Sequence, residues 1–159
     1  MEFKWNDKVF KDSRENFDAV ALQVFRYQAG GNPVYSDFLN ALGVEPSTIT
    51  DITQIPFLPV RFFKTHEIKT GEFEPQAIFE SSGTTGSINS RHFVKDLELY
   101  ETSFQKGFEH FYGSIDKFCI IGLLPSYLER KNSSLIYMVD HLIQRSEHPQ
   151  SGFYLNEFE

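Results

Sequence analysis

Residues 78 to 94 read IFESSGTTGSINSRHFV, and seven consecutive small or hydroxylated residues stand at their centre. These are Ser81, Ser82, Gly83, Thr84, Thr85, Gly86 and Ser87. Two glycines let backbone N–H groups converge and the hydroxyls add further donors, a composition typical of a loop that cradles phosphate oxygens. A plain surface turn is the alternative, because glycine and serine are common turn residues. The length of the run and its order of hydroxyls and glycines favour phosphate binding.

Two familiar phosphate-binding motifs do not fit this run. The P-loop of nucleoside triphosphatases has a lysine directly after its second glycine, where this chain has Ser87. Gly83 and Gly86 are also closer together than the two P-loop glycines. The Rossmann fingerprint fails because no second glycine lies two residues from Gly83.

Composition excludes several classes of protein. The chain has 159 residues, 40% of them hydrophobic, which is enough for one compact domain with a real core. Its formal net charge of -7 argues against a general nucleic-acid binder, because attachment to phosphate backbones needs a basic surface. No stretch approaches the ~20 apolar residues that span a bilayer, and the charged N-terminus does not resemble a signal peptide. We therefore expect a soluble, cytoplasmic protein with no membrane span.

Cysteine, histidine and aromatic content narrow the chemistry. The single cysteine, Cys119, lies in an apolar run, so we expect a buried thiol and a reducing compartment. The 17 phenylalanines and 7 tyrosines predict an interior, and an apolar pocket, built largely from rings. No histidine has a partner at metal-ligand spacing, so a structural zinc site is not expected; the five are His66, His92, His110, His141 and His148.

The periodicity of residues 1 to 50 predicts a helical hairpin. Asp12 and Glu15 have capping-box spacing before apolar residues at helical intervals, and Gly30 begins a glycine pair that ends the pattern. Asn32 followed by Pro33 is a start signal for the second helix, which is predicted to end before Gly43. Its predicted apolar face comprises Tyr35, Phe38, Leu39 and Leu42.

Residues 51 to 75 are predicted to form a connector with short strands. Pro56 and Pro59 forbid a central strand or a long helix. We expect an extended segment that lays four apolar side chains on the core, namely Phe57, Leu58, Phe62 and Phe63. Residues 66 to 69 and 76 to 80 are predicted strands around the turn at Gly71.

Residues 76 to 159 are predicted to form a layered α/β unit that contains the loop 81 to 87. Asp96 and Ser133 are expected to cap two helices, and residues 118 to 124 form an apolar run typical of a buried parallel strand. A last strand is predicted over residues 153 to 155. The first of these helices has a predicted apolar face of Leu97, Tyr100, Phe104, Phe108 and Phe111. The fold class is α/β, a helical hairpin followed by this unit.

The run from Ser81 to Ser87 resembles the phosphate-binding loop of the adenylate-forming ligases, which include acyl-CoA synthetases, luciferases and peptide-synthetase adenylation domains. The family pattern continues with Pro-Lys, where this chain has Ile88 and Asn89, and the nearest basic residue is Arg91. Two further segments are similar to the acyl-protein synthetase (LuxE-like) branch, which supplies activated fatty acid to the reductase of bacterial bioluminescence. They read IPFLPVRFFKTHEI (55 to 68) and LLPSYLERKNSSLIYMVDHLI (123 to 143).

This resemblance implies a two-step reaction. A carboxylate, in this branch a fatty acid, attacks the α-phosphorus of ATP, and the acyl adenylate passes its acyl group to a thiol or protein acceptor. ATP and Mg²⁺ are the implied cofactors, and no catalytic residue is assigned. The implied phosphate-binding residues are Ser81, Ser82, Gly83, Thr84, Thr85, Gly86 and Ser87, and the implied acyl-pocket residues are Ser126, Tyr127 and Leu128, for which simple packing is the alternative. Arg91, on the strand that leaves the loop, is a further candidate for a phosphate contact, with an exposed salt bridge as the alternative.

The same resemblance implies that residues 1 to 159 are the N-terminal segment of a longer ligase. The adenine-binding and magnesium-binding motifs, the ribose-binding aspartate and the mobile C-terminal lysine of the family follow the equivalent of residue 159. We therefore expect the segment to be inactive alone and to expose apolar surface where the C-terminal half would pack. The alternative is a non-catalytic module that retains the loop and binds an acyl group or a partner.

Overall fold

The structure is a computed structural model that describes residues 9–10, 16–81, 88–124 and 132–155. The chain divides into two compact units, Met1–Glu74 and Pro75–Glu159. The first unit is helical in its described part, and the second combines helices with short strands. The predicted mixture of helices and strands is thus confirmed.

Two consecutive helices form the core of the first unit, as predicted. Helix α1 spans Phe17–Gly31 and helix α2 spans Pro33–Ala41. Side chains about four residues apart lie on one stripe of each helix, so the two stripes bury each other. Phe25 and Tyr35 meet edge to face with their ring centroids 6.1 Å apart. The buried members of this core are Phe25, Ala29, Tyr35, Leu39 and Ile49.

The connector after α2 differs from its prediction. It contains two 3-10 turns, Pro46–Thr48 and Ile52–Gln54, and one short helix, α3, at Phe62–Thr65. Leu58 packs against the core as predicted, but Phe57 is 82% exposed, so its predicted burial is wrong. The extended backbone that the prolines impose explains the difference, because neighbouring side chains of such a segment point in different directions.

The predicted strand at residues 66 to 69 is also wrong. This segment has no strand partner, and the backbone beyond it turns at Gly71, whose φ is +77°. The amide of Gly71 donates to the carbonyl of Gly31 at 2.8 Å, so the segment is attached to the end of α1. Glycine adopts this left-handed conformation without steric strain because it has no Cβ atom.

The second unit alternates strands and helices as predicted. Its strands form two separate two-stranded sheets, one antiparallel (β1 with β2) and one parallel (β3 with β4). Between β3 and β4 lies a helix, as a parallel pair requires. The elements are β1 Ala77–Glu80, β2 Arg91–Val94, α4 Leu97–Tyr112, a 3-10 turn Ile115–Lys117, β3 Ile121–Gly122, α5 Ser134–Ser146 and β4 Gly152–Phe153.

The predicted helix caps rest on side-chain hydrogen bonds. A side-chain oxygen accepts from a first-turn backbone N–H at 3.1 Å for Asn32, 3.0 Å for Asp96 and 3.4 Å for Ser133. These bonds satisfy amides that have no partner within the helix. The predicted capping box of Asp12 and Glu15 lies outside the described residues.

The predicted burial of the β3 region is wrong. Ile121 and Leu123 are 59% and 69% exposed, and Cys119 is exposed as well. Only Gly122 is buried, because a two-stranded sheet with one helix packed on it covers a single face and leaves alternate residues outside. Phe111 at the end of α4 is likewise 78% exposed rather than part of the apolar face.

No helix within the described ranges is both long enough and apolar enough to cross a membrane.

Gly122 is closely packed against two side chains of the second unit. A Cβ atom built at this position would lie 2.9 Å from the Phe153 ring and 3.0 Å from a methyl group of Val139. We therefore expect Gly122→Ala to lower the free energy of unfolding of this unit by about 1–3 kcal/mol, the usual effect of overpacking. Hydrogen exchange of the second-unit amides, recorded at increasing urea concentrations, measures this free energy.

Gly107 in α4 provides the matched control, because a Cβ atom there would meet nothing within 4 Å. Gly107→Ala is expected to stabilise the same unit by about 0.5–1 kcal/mol, since alanine loses less backbone entropy in a helix. Equal effects of the two substitutions would contradict the close packing at Gly122.

Candidate functional site

The β1–β2 hairpin leads into and out of the segment that contains the predicted phosphate loop. The amide of Ser81 donates to the carbonyl of Ser90 at 3.0 Å, and the amide of Ser90 donates to the Ser81 hydroxyl oxygen, also at 3.0 Å. Glu80 and Arg91, the residues next to Ser81 and Ser90, are opposite each other in the antiparallel register. The segment between Ser81 and Ser90 therefore begins and ends at one point of the hairpin.

Only two of the predicted site residues, Ser81 and Arg91, lie within the described ranges. Ser81 is exposed, and its amide and hydroxyl oxygen are both engaged with Ser90, which leaves the hydroxyl hydrogen as its donor. The other predicted residues lie outside the described residues. They are Ser82, Gly83, Thr84, Thr85, Gly86 and Ser87 of the loop and Ser126, Tyr127 and Leu128 of the acyl pocket.

Arg91 supplies a fixed positive charge at the base of this hairpin. Its guanidinium carbon lies 5.3 Å from the centroid of the Phe93 ring, which is two residues further along the same face of β2. The Arg91 side chain is exposed and has no ion pair with any carboxylate of the described residues. It is therefore placed on a ring by a cation–π contact and is accessible to an anion.

His92 is the other titratable group on β2. The residue is exposed, and partial desolvation of the imidazole ring by neighbouring protein atoms lowers the pKa of His92. The imidazole is therefore mainly neutral at pH 7. Arg91 carries the positive charge of this strand.

A third chain segment contacts the hairpin at the end that leads into the predicted loop. The amide of Glu80 donates to the carbonyl of Asn132 at 2.8 Å. Asn132 directly follows residues 125 to 131, which contain the predicted acyl-pocket residues, and Glu80 directly precedes Ser81. A backbone hydrogen bond therefore joins the residue directly before Ser81 to a residue four positions after Leu128.

An aromatic cluster attaches the hairpin to the two helices of the second unit. Phe79 of β1 is buried, and its ring centroid lies 5.2 Å from that of Tyr100 in α4 and 5.6 Å from that of Tyr137 in α5. The Tyr100 hydroxyl donates to the carbonyl of Ser134 at 3.0 Å, while burial raises the pKa of Tyr100. These contacts hold β1 against both helices, since buried ring pairs add directional contacts to area burial.

Polar contacts further join the two helices. The Tyr137 hydroxyl donates to the carboxylate of Glu101. The side-chain amide of Gln105 lies 2.6 Å from Nε2 of His141, with the donor and acceptor roles set by the histidine tautomer. Because both pairs link α4 with α5, they support the surface on which Phe79 rests.

Ser90 and Asn132 were not predicted as site residues. Ser90 had a signal in the sequence, since it ends the polar stretch before β2 as Ser81 begins it after β1. Asn132 had none, because it acts through its backbone carbonyl, which every residue type possesses.

The described residues contain no group of three or more histidine, cysteine, aspartate or glutamate side chains that could hold a metal ion.

Comparison of the chain with protein-family models, with curated protein sequences and with solved structures finds no match.

We expect Ser81→Ala to weaken the closure of the hairpin without opening it. The substitution removes the acceptor of the Ser90 amide and leaves the backbone bond from Ser81 to Ser90 in place. A hydrogen bond worth about 0.5–1.5 kcal/mol corresponds to a rise of roughly 2- to 13-fold in the amide exchange rate of Ser90. Amide exchange by NMR measures this rise, with Ser103→Ala on the exposed side of α4 as the control. An unchanged rate at Ser90 would refute the bond.

Proposed function

We propose that this chain carries the phosphate-binding loop and part of the acyl pocket of a ligase. The ligase activates a carboxylic acid with ATP as an acyl adenylate and passes the acyl group to a thiol or a protein acceptor. The resemblance of residues 81 to 87 to the loop of adenylate-forming ligases supports this function. The single structural observation that supports it is the pair of hydrogen bonds between Ser81, where the predicted loop begins, and Ser90, three residues after the loop ends at residue 87.

The reaction requires groups that bind the phosphates of ATP and does not require an unusual catalytic side chain. A carboxylate is a poor acyl donor because oxide would have to leave. When a carboxylate oxygen attacks the α-phosphorus of ATP, pyrophosphate leaves, and AMP becomes the leaving group for the attack of the acceptor. Amides and hydroxyls that hold the departing phosphates offset their charge and keep the reactants aligned.

Each residue of the loop has a distinct role in this proposal. Thr84 and Thr85 donate hydroxyl hydrogen bonds to the β- and γ-phosphate oxygens, and charge-assisted bonds of this kind are stronger than neutral ones. Gly83 and Gly86 allow the backbone to approach the phosphates closely. Arg91 takes the place of the family lysine as the cation of the site.

The tied ends favour binding for an entropic reason. Ordering a loop around a ligand consumes conformational entropy, and less is lost when both ends are already fixed. The hydrogen bonds at Ser81 and Ser90 fix the ends, and the packing of Phe79 on two helices fixes the strand that leads to them.

The contact between Glu80 and Asn132 supports the acyl side of the proposal. The carboxylate must approach the α-phosphorus closely before it can react. Ser126, Tyr127 and Leu128 stand a few residues before Asn132, and the proposal assigns them to the acyl pocket. The family also implies Mg²⁺, for which no ligand set occurs among the described residues, so we assign no metal ligand in this chain.

A thermal-shift experiment tests the proposal. A ligand at about ten times its Kd stabilises a folded protein by about 1.4 kcal/mol, or roughly 3–6 °C in a chain of this size. We expect millimolar ATP and millimolar pyrophosphate to raise the melting temperature of the wild-type chain. The double substitution Thr84→Ala with Thr85→Ala should abolish the shift, because it removes the hydroxyl donors to the phosphates.

The control replaces two exposed hydroxyl residues outside the loop, Thr50→Ala with Ser103→Ala, and should retain the full shift. Absence of any shift with ATP or pyrophosphate in the wild type would contradict the ligase function. A shift with an acyl carrier protein in that case would favour the non-catalytic binding module instead.

A further inference from the structure

Two apolar side chains of the first unit project into solvent from a proline-braced segment. Residues 56 to 64, which we call the proline ridge, read PFLPVRFFK. Phe57 and Val60 are 82% and 80% exposed, the highest exposures among the large apolar residues of this ridge. An exposure above three-quarters means that a side chain stands out from the surface and does not line a groove.

Contacts with the core of the first unit fix the backbone of the ridge. Leu58 packs against the core, and the Tyr35 hydroxyl donates to the carbonyl of Pro56 at 2.6 Å. At its other end, the amide of Phe62 donates to the carbonyl of Pro59 at 3.0 Å, which closes a turn around Val60. The exposed side chains are therefore presented on a fixed backbone, and their exposure does not come from a loose loop.

The Phe62 ring fixes the far end of the ridge. Its centroid lies 6.0 Å from that of Phe38 in α2 and 5.1 Å from the His66 ring. This contact anchors α3. Arg61, directly before Phe62, and Lys64, two residues after it, therefore also have a fixed backbone.

The charge of the ridge segment is opposite to that of the whole chain. The chain has a formal net charge of -7, but no aspartate or glutamate occurs from Ile52 to His66. Arg61 and Lys64 are both exposed, and neither forms an ion pair with a carboxylate in the part of the chain that the structure describes. The ridge is thus an apolar tip with an unneutralised cationic flank.

We propose that the proline ridge is a peripheral binding site for an anionic lipid bilayer. Phe57 and Val60 insert into the interfacial region, and Arg61 and Lys64 contact the negatively charged headgroups. A fluid interface accepts projecting apolar side chains of any outline, whereas a protein partner would need a matching groove. The two cations supply the charge complementarity that a negatively charged leaflet requires. This site uses residues of the first unit alone and does not depend on the proposed ligase function.

Vesicle sedimentation with the wild-type 159-residue chain and no nucleotide tests this site. We expect the chain to sediment with vesicles of phosphatidylglycerol and phosphatidylcholine, and at least about tenfold more weakly with phosphatidylcholine alone. High salt should release it, since screening shortens the range of the attraction.

Two double variants separate the contributions. Phe57→Ser with Val60→Ser should weaken binding to anionic vesicles by at least about tenfold, because the inserted apolar area is lost. Arg61→Gln with Lys64→Gln should weaken it roughly 30-fold, about fivefold for each basic residue near the surface. Circular dichroism and melting temperature confirm that the exposed substitutions leave the fold intact.

Ile121→Ser with Leu123→Ser is the matched control, since it removes two exposed apolar side chains from the second unit. It should bind vesicles as the wild type does. The proposal is overturned if the wild type remains in the supernatant with every vesicle composition, as a ridge that serves a protein partner would predict. It is equally overturned if the ridge variants bind like the wild type, or if the control loses as much binding as they do.

Discussion

Two hydrogen bonds between Ser81 and Ser90 are the constraint on which the candidate site depends. They bring the start and the end of a hydroxyl-rich and glycine-rich segment to one point, which a two-stranded hairpin alone secures only weakly. The hairpin gains its support from Phe79, which packs on rings of both α4 and α5. Glu80 adds a bond to the segment that holds the predicted acyl-pocket residues. The chain segments that contain the two sets of predicted site residues are thus both attached to this hairpin.

The sequence predicts the local features of this fold well. Helix caps depend on a side chain and an amide two or three residues away, so Asn32, Asp96 and Ser133 can be recognised without knowledge of the rest of the structure. Helical periodicity likewise identifies α1, α2, α4 and α5, because the stripe of apolar residues is a property of each segment alone. The order of residues 81 to 87 is also a local pattern; it predicts a phosphate site at this position, and this remains a prediction.

Burial is the feature that the sequence predicts poorly here. Cys119 lies in an apolar run that predicts a buried strand, yet it is exposed and precedes β3, whose sheet has two strands among the described residues. Phe57 is apolar and next to a proline, but its direction depends on which neighbours fill the core, and Leu58 does so. The bond from Glu80 to Asn132 joins backbone atoms far apart in sequence, and no residue pattern encodes such a pair. The sequence predicts features that depend on neighbouring residues, but it does not predict which side chains are buried by elements far away in the chain.

The most direct measurement of the central claim is an NMR titration of the chain with inorganic pyrophosphate, with the amides of Gly83, Gly86 and Ser90 as reporters. The account predicts saturable shifts at the two glycine amides, because they approach the phosphate oxygens, with the Ser90 amide still protected by its bond to Ser81. Adenosine without phosphates should leave the glycine amides unchanged. Glycine amides that do not respond to millimolar pyrophosphate, or that respond equally to adenosine, would contradict the account.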